Sequence, residues 1–305
     1  MKGLDLCRSY YKECAAPAIE RIFGTRAKLI AAGLAGAGSD CLGYDDAISR
    51  DHDFGPGCCL WLTDEDYKKF GTELSNLYDS LPKTFEGVPR LETPQGAGRV
   101  GVTSIGRFYS QFIGSCGVPR DNISWLRIPE HFLAAAVSGE VFRDDLGEFS
   151  LIRNTLLNFY PKDVLLKKLA ARLFVMGQAG QYNYVRIMKR KDIPAAALAL
   201  DEFARASLSA LHLLSGRYMP YYKWAFRSAR ELPLFKKTAE KIDSLFAEGS
   251  FDKERVIEAI CADVTDALHS EGLSSSRESF LVPQAEEVMK QIEDEKIRHM
   301  GVSVG

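Results

Sequence analysis

The sequence predicts an α+β protein in which strands and helices mingle in the first half and helices alone fill the second. Up to about residue 150, short apolar runs at 28–34, 58–62 and 99–105 are separated by turns rich in glycine and proline. Beyond residue 150, apolar residues recur at helical spacing and turn residues appear only at intervals. The chain has 305 residues, enough for two domains at roughly 100–200 residues each. The change of texture divides them as 1–149 and 150–305.

The elements follow in order. Residues 9–23 carry Tyr10, Tyr11, Ile19, Ile22 and Phe23 at near-helical spacing and end at Gly24, which predicts an amphipathic helix. Residues 28–34 form a buried strand that feeds a turn at 36–40. A polar segment at 44–53 leads to a strand that breaks at Gly55-Pro56, because proline cannot donate to a central ladder, and resumes over 58–62. Thr63 followed by Asp64-Glu65-Asp66 signals the capped start of a helix reaching Leu81 before Pro82. A strand over 99–105, helices at 108–113 and 129–137, and a strand over 140–143 complete the first domain. Asp144 and Gly147 bracket a turn, with the Asp144 carboxylate as its acceptor. Helices are then expected at 150–158, 163–176, 182–189 (continuous with its predecessor or separate), 194–215, 223–232, 252–268 and 284–299, which together make a helical bundle.

Composition excludes several classes. The 39 basic and 41 acidic side chains nearly cancel, to a net charge of −2, and 46% of residues are apolar, as in an ordinary globular protein. The balance counts against a nucleic-acid partner, which usually calls for a basic stripe. No apolar run approaches the ~20 residues of a bilayer span, so no membrane role is expected. The seven cysteines are odd in number and scattered, and no secretory leader is evident, so a reducing, cytoplasmic setting with inert thiols is expected. The five histidines are too dispersed for a structural zinc site.

The segment that carries chemistry is Gly38-Ser39 followed, twelve residues after Ser39, by Asp51-His52-Asp53. On a strand, residues two apart share a face with Cα atoms about 6–7 Å apart, while the one between points away. Two carboxylates at that distance repel unless a cation lies between them. A hard divalent ion, Mg2+ or Mn2+, held by the pair and by substrate phosphates, is the expected occupant. The Gly-Ser turn offers backbone N–H groups and a hydroxyl to those phosphates.

An apolar strand at 29–34, the Gly38-Ser39 turn and the Asp51/Asp53 pair resemble the nucleotidyltransferase superfamily of DNA polymerase beta and kanamycin nucleotidyltransferase. The string Gly-Tyr-Asp-Asp-Ala-Ile-Ser-Arg-Asp-His-Asp-Phe-Gly-Pro at 43–56 resembles a bacterial branch of that superfamily more closely. The likeness continues through 139–144, 180–186 and 217–224, and so reaches both domains. The resemblance implies a small mixed sheet flanked by helices, then a bundle, with nucleotide and acceptor bound in the cleft between the two. It also implies transfer of a nucleoside monophosphate from a nucleoside triphosphate to a small molecule or a protein side chain. Arg50, Arg186 and Lys223 are the implied phosphate contacts, and Lys189, Arg190 and Lys191 extend the basic cluster. Asp192 and Glu202 are candidate acceptor-side acids, and Asp45 and Asp46 are expected to be solvated.

One position departs from the pattern. The superfamily's third carboxylate lies on a later strand, and the matching slot here is Gly101. Glu92, Glu140 and Asp144 are the acids that could replace it. A chain without that acid has a second reading, a catalytically silent nucleotide-binding or regulatory module of the same fold.

Overall fold

A computed structural model describes residues 1–50, 54–91, 98–247 and 252–305. Asp51, His52, Asp53 and Glu92 lie outside the described residues, as does the side chain of Arg50. The architecture is α+β, and the chain forms two compact units, Met1–Pro119 with Phe132–Asn158, and Arg120–His131 with Phe159–Gly305.

In the first unit, α1 (Gly3–Tyr10), a π turn (Tyr11–Ala15) and α2 (Ala16–Phe23) follow one another without a break. Leu6, Tyr10, Ile19 and Phe23 face the core, and Gly24, at φ +52°, ends the run. The helix starts six residues earlier than its periodicity suggests, because the Gly3 amide donates to the Asp45 carboxylate at 2.8 Å. Asp45 is therefore buried and structural, a correction to its expected solvation. A 3-10 turn (Gly24–Leu29) replaces the first half of the expected strand, leaving β1 (Ala31–Leu34). β2 (Cys59–Leu62) and α3 (Asp64–Ser80) follow, and the Thr63 side chain caps α3 by accepting from the Asp66 amide. The small hairpin of β3 (Thr84–Phe85) and β4 (Val88–Pro89) has no strong sequence signal. Next come β5 (Gly101–Ser104), α4 (Ile105–Ile113), α5 (Asn122–Leu126), α6 (Glu130–Val137), β6 (Glu140–Arg143) and α7 (Glu148–Leu157). α5 and the first two residues of α6 belong to the second unit.

The four-stranded sheet has the order β5-β2-β1-β6, with β1 antiparallel to β2 and β6, and β2 parallel to β5. β1 and β2 are buried on both faces, so their sequences are apolar throughout rather than alternating. Leu60 and Leu62 pack with Tyr10, Ile19, Phe23 and Leu74 on one face. On the other face Trp61 stacks on Phe149, with ring centroids 3.8 Å apart, and meets Phe108 edge-on at 5.4 Å.

The second unit continues through α8 (Lys162–Met176), a π turn (Gly177–Tyr184), α9 (Val185–Lys189), α10 (Ile193–Leu214), α11 (Tyr222–Arg230), α12 (Lys236–Ser244), α13 (Lys253–Ser270), α14 (Leu281–Lys290) and α15 (Glu295–Arg298). The π turn joins α8 to α9, so 162–189 is one helical run, and α8 packs against α10 and α14. α12 escapes sequence reading because it buries only Thr238, Ala239 and Ile242 and is otherwise polar. Among the described residues no helix is long and apolar enough to cross a membrane.

Candidate functional site

β1 ends at Leu34 and the chain turns through Ala35-Gly36-Ala37 into Gly38-Ser39-Asp40. This turn is locked from inside the protein. Asp40 is buried, accepts from the Cys41 amide at 2.8 Å and pairs with the Arg99 guanidinium. Gly38 lies so close to the pair that a Cβ there would sit 2.5 Å from an Asp40 carboxylate oxygen and 2.6 Å from Arg99 Nη2. A side chain at that position would have to push the pair aside. Burial alone would lower the Arg99 pKa, but the neighbouring Asp40 carboxylate outweighs it and raises the value above that of an ordinary guanidinium. The Ser39 carbonyl accepts from the Tyr44 and Asp45 amides, while its hydroxyl makes no hydrogen bond among the described residues.

Beside the turn is a cavity of about 490 Å³, a volume in the usual range for a small-molecule site. Ala35, Gly36 and Ala37 form one wall. Cys59 and Trp61 of β2 and Gly101 and Thr103 of β5 form the floor, with Arg99 at its edge, and Arg107, Phe108, Gln111 and Phe112 of α4 complete it. Parallel pairing sets Cys59 beside Gly101 and Trp61 beside Thr103. Trp61 Nε1 and Thr103 Oγ1 are both buried without a hydrogen-bond partner among the described residues. The Cys59 thiol donates to the Arg99 carbonyl, and burial pushes its pKa up to about 11, so it is no nucleophile near neutrality.

Gly101, the residue that the resemblance sets against the third carboxylate, lines this cavity. Gly101 has φ +107°, a backbone angle that side-chain-bearing residues rarely adopt, with the Tyr78 ring beneath it. The described substitutes are committed elsewhere. Glu140 accepts from Arg8 Nε at 2.9 Å, and its hydrogen bond with Arg8 holds its pKa below the usual carboxylate range. Asp144 accepts from the Gly147 amide at 3.1 Å and the Ser150 amide at 2.7 Å, the turn role expected of it. Asp46 accepts from the Ile48 and Ser49 amides and shapes the 3-10 turn Ile48–Arg50. Among the described residues no group of three or more histidine, cysteine, aspartate or glutamate side chains could hold a metal ion.

The far flank of the Asp51–Asp53 segment is well anchored. Arg90 donates to the Pro56 carbonyl at 2.7 Å and to the Tyr10 hydroxyl at 2.9 Å, and the Leu91 amide donates to the Phe54 carbonyl at 3.0 Å. The Cys7 thiol donates to the Gly55 carbonyl. The chain thus leaves the Asp-x-Asp segment along a fixed path into β2.

The second unit holds a separate buried polar cluster. Glu130 Oε1 accepts from Ser209 Oγ at 2.6 Å and faces Arg172 Nη2 at 3.6 Å, and Arg172 Nε donates to the same serine at 3.0 Å. Lys168 donates to the Leu126 and Ile128 carbonyls at 3.1 and 3.3 Å, and burial lowers its pKa to about 8. Residues 125–225 match a family model described as a domain of unknown function (DUF4037). No curated protein matches the chain, and no solved structure does.

The matched stretch contains all of this cluster together with two of the proposed phosphate contacts. Arg186 is exposed on α9, 4.7 Å over the Tyr182 ring, and Lys223 is exposed in the first turn of α11, 5.3 Å over the Trp224 ring. Both belong to the second unit, whereas Gly38 and Ser39 belong to the first. Asp192 is exposed and caps α10 by accepting from the Ala195 amide at 3.2 Å, and Glu202 is exposed. Sequence reasoning overlooked Asp40, Arg99, Arg107 and Gln111. Asp40 and Arg99 are 59 residues apart, and no local pattern announces such a pair.

Proposed function

We propose that the chain is a metal-dependent nucleotidyltransferase that moves a nucleoside monophosphate from a nucleoside triphosphate to a hydroxyl or similar group on a small molecule or protein. The observation that carries this reading is the turn after β1: its first part, Ala35-Gly36-Ala37, lines a ligand-sized cavity, and the Gly38-Ser39 part that follows is held by Asp40 and Arg99. The strand order supports it too. A turn follows β1, and the four-stranded sheet is small and mixed, which accords with the sheet that the resemblance implies. Seven unpaired thiols accord with a reducing, cytoplasmic setting, and the balanced charge favours a small-molecule or protein acceptor over nucleic acid.

In this reaction an acceptor oxygen bonds to the α-phosphorus as the bond to pyrophosphate breaks in line, so positioning and charge neutralisation do most of the work. The Ser39 hydroxyl and the backbone N–H groups of its turn donate to phosphate oxygens. Arg50, Arg186 and Lys223 are further phosphate contacts in this proposal. Asp51 and Asp53 would hold Mg2+ or Mn2+, which neutralises phosphate charge and orients the reacting groups. With Gly101 in the third slot and Glu140 and Asp144 engaged, the two aspartates would hold the metal without a third described acid.

That same vacancy at Gly101 favours the second reading, a catalytically silent nucleotide-binding module. Pyrophosphate release from nucleoside triphosphates with Mg2+, screened over libraries of hydroxylated and aminated acceptors and of proteins, separates the two. Turnover that disappears in the Asp51→Asn, Asp53→Asn double variant supports the enzyme. Metal-dependent turnover that survives the double variant removes Asp51 and Asp53 from the site, and nucleotide binding with no release favours the silent module.

A further inference from the structure

α4 presents two adjoining stripes to the cavity. Arg107 and Gln111 are four residues apart and exposed, so they form one polar stripe, and Phe108 and Phe112, also four apart, form an aromatic one beside it. The Gln111 amide donates to the Arg107 carbonyl at 3.3 Å, which ties its head to the same helical turn. The Arg107 guanidinium has no ion-pair or hydrogen-bond partner among the described residues, whereas Arg99 is already matched by Asp40. Trp61 and Thr103 lie in cross-strand register on the floor.

We propose that α4 is the recognition helix of this cavity, that Arg107 and Gln111 hold the phosphate end of a nucleoside phosphate while Phe112 takes its base, and that this binding needs no divalent metal. The ligand class rests on the nucleotidyltransferase reading, and the charge requirement rests on the cavity itself. A guanidinium is always ionised and offers a planar fork of donors that fits phosphate oxygens. The protein then meets enough phosphate charge for binding, and a metal at Asp51 and Asp53 would add the neutralisation that turnover needs.

The test is calorimetric titration of the full chain with ribonucleoside triphosphates, the parent nucleosides and inorganic tripolyphosphate, each in EDTA and in Mg2+. At least one triphosphate is expected to bind in EDTA with a Kd within about threefold of its value in Mg2+. Arg107→Ala should weaken both that triphosphate and tripolyphosphate at least about tenfold, with Arg107→Lys restoring part of the loss. Phe112→Ala should weaken the nucleoside and spare tripolyphosphate. Arg107 is exposed, so its variants should fold, and an unchanged circular dichroism spectrum verifies that; Gln111→Ala gives an independent check on the same stripe. Binding that appears only with Mg2+, or that neither Arg107→Ala nor Gln111→Ala weakens, overturns the proposal; continued pyrophosphate release in that case leaves the nucleotidyltransferase reading standing. Absence of both binding and release overturns the two together.

Discussion

Asp40 and Arg99 form an ion pair packed against Gly38, so one electrostatic contact joins the turn after β1 to the strand approach at β5. The Asp40 side chain is 8% exposed and that of Arg99 19%, so the pair is only lightly screened. Asp40→Asn removes a close counter-charge from a guanidinium in a mostly buried place. Breaking such a pair from one side costs about 3 kcal/mol, the low end of the range for buried pairs because Arg99 keeps some solvent. Urea unfolding measures it, and a loss under about 1 kcal/mol would mean that the pair does not hold the turn.

Asp51→Asn with Asp53→Asn is expected to reduce pyrophosphate release by at least about a hundredfold, the scale on which loss of a directed electrostatic contact lowers turnover. An unchanged circular dichroism spectrum verifies that the variant folds. Activity within tenfold of the parent would remove the pair from the reaction.

Gly101→Ala introduces a Cβ at φ +107°, 3.6 Å from Tyr78 Cε1. That separation is ordinary van der Waals contact, so the cost is backbone strain, of order 1–3 kcal/mol. Gly101→Asp should suffer the same penalty without raising turnover, because the strain moves the strand that would have to present the acid. A stable, more active Gly101→Asp variant would show that the slot accepts a ligand after all.

Lys168 lies in a core with Tyr160, Glu130 and Arg172, and burial lowers its pKa from 10.5 to about 8. Between these values the unfolded chain binds a proton that the folded chain does not, so the lysine's contribution to stability rises with pH from about 8 to 10.5. The unfolding free energy of the parent relative to Lys168→Met should therefore climb by up to about 1.4 kcal/mol per pH unit in that window. Taking the difference cancels the buried thiols, which lose stability as pH rises past their unfolded value. A flat difference would show that Lys168 stays charged when folded.

Particular residues show how far the sequence could be read. Thr63 and its three acids fixed the start of α3, and the Asp144 turn was legible, because each depends on neighbours within a few residues. The early start of α1 was not, since its cap, Asp45, comes from 42 residues away. The expectation of a solvated Asp45 failed for the same reason, since it serves that distant helix, whereas Asp46 is exposed as expected and shapes a local 3-10 turn.

The sequence by itself determined the α+β character, the order of the principal elements and the Gly-Ser turn, because periodicity, capping and turn chemistry are short-range. Tertiary structure alone decided which cation secures that turn, which of the described acids are already engaged, and that β5 and α4 bring Gly101, Arg107, Gln111 and Phe112 around one cavity. These follow from strand register and side-chain packing between segments distant in the chain, and such contacts leave no periodic trace in the residues that make them.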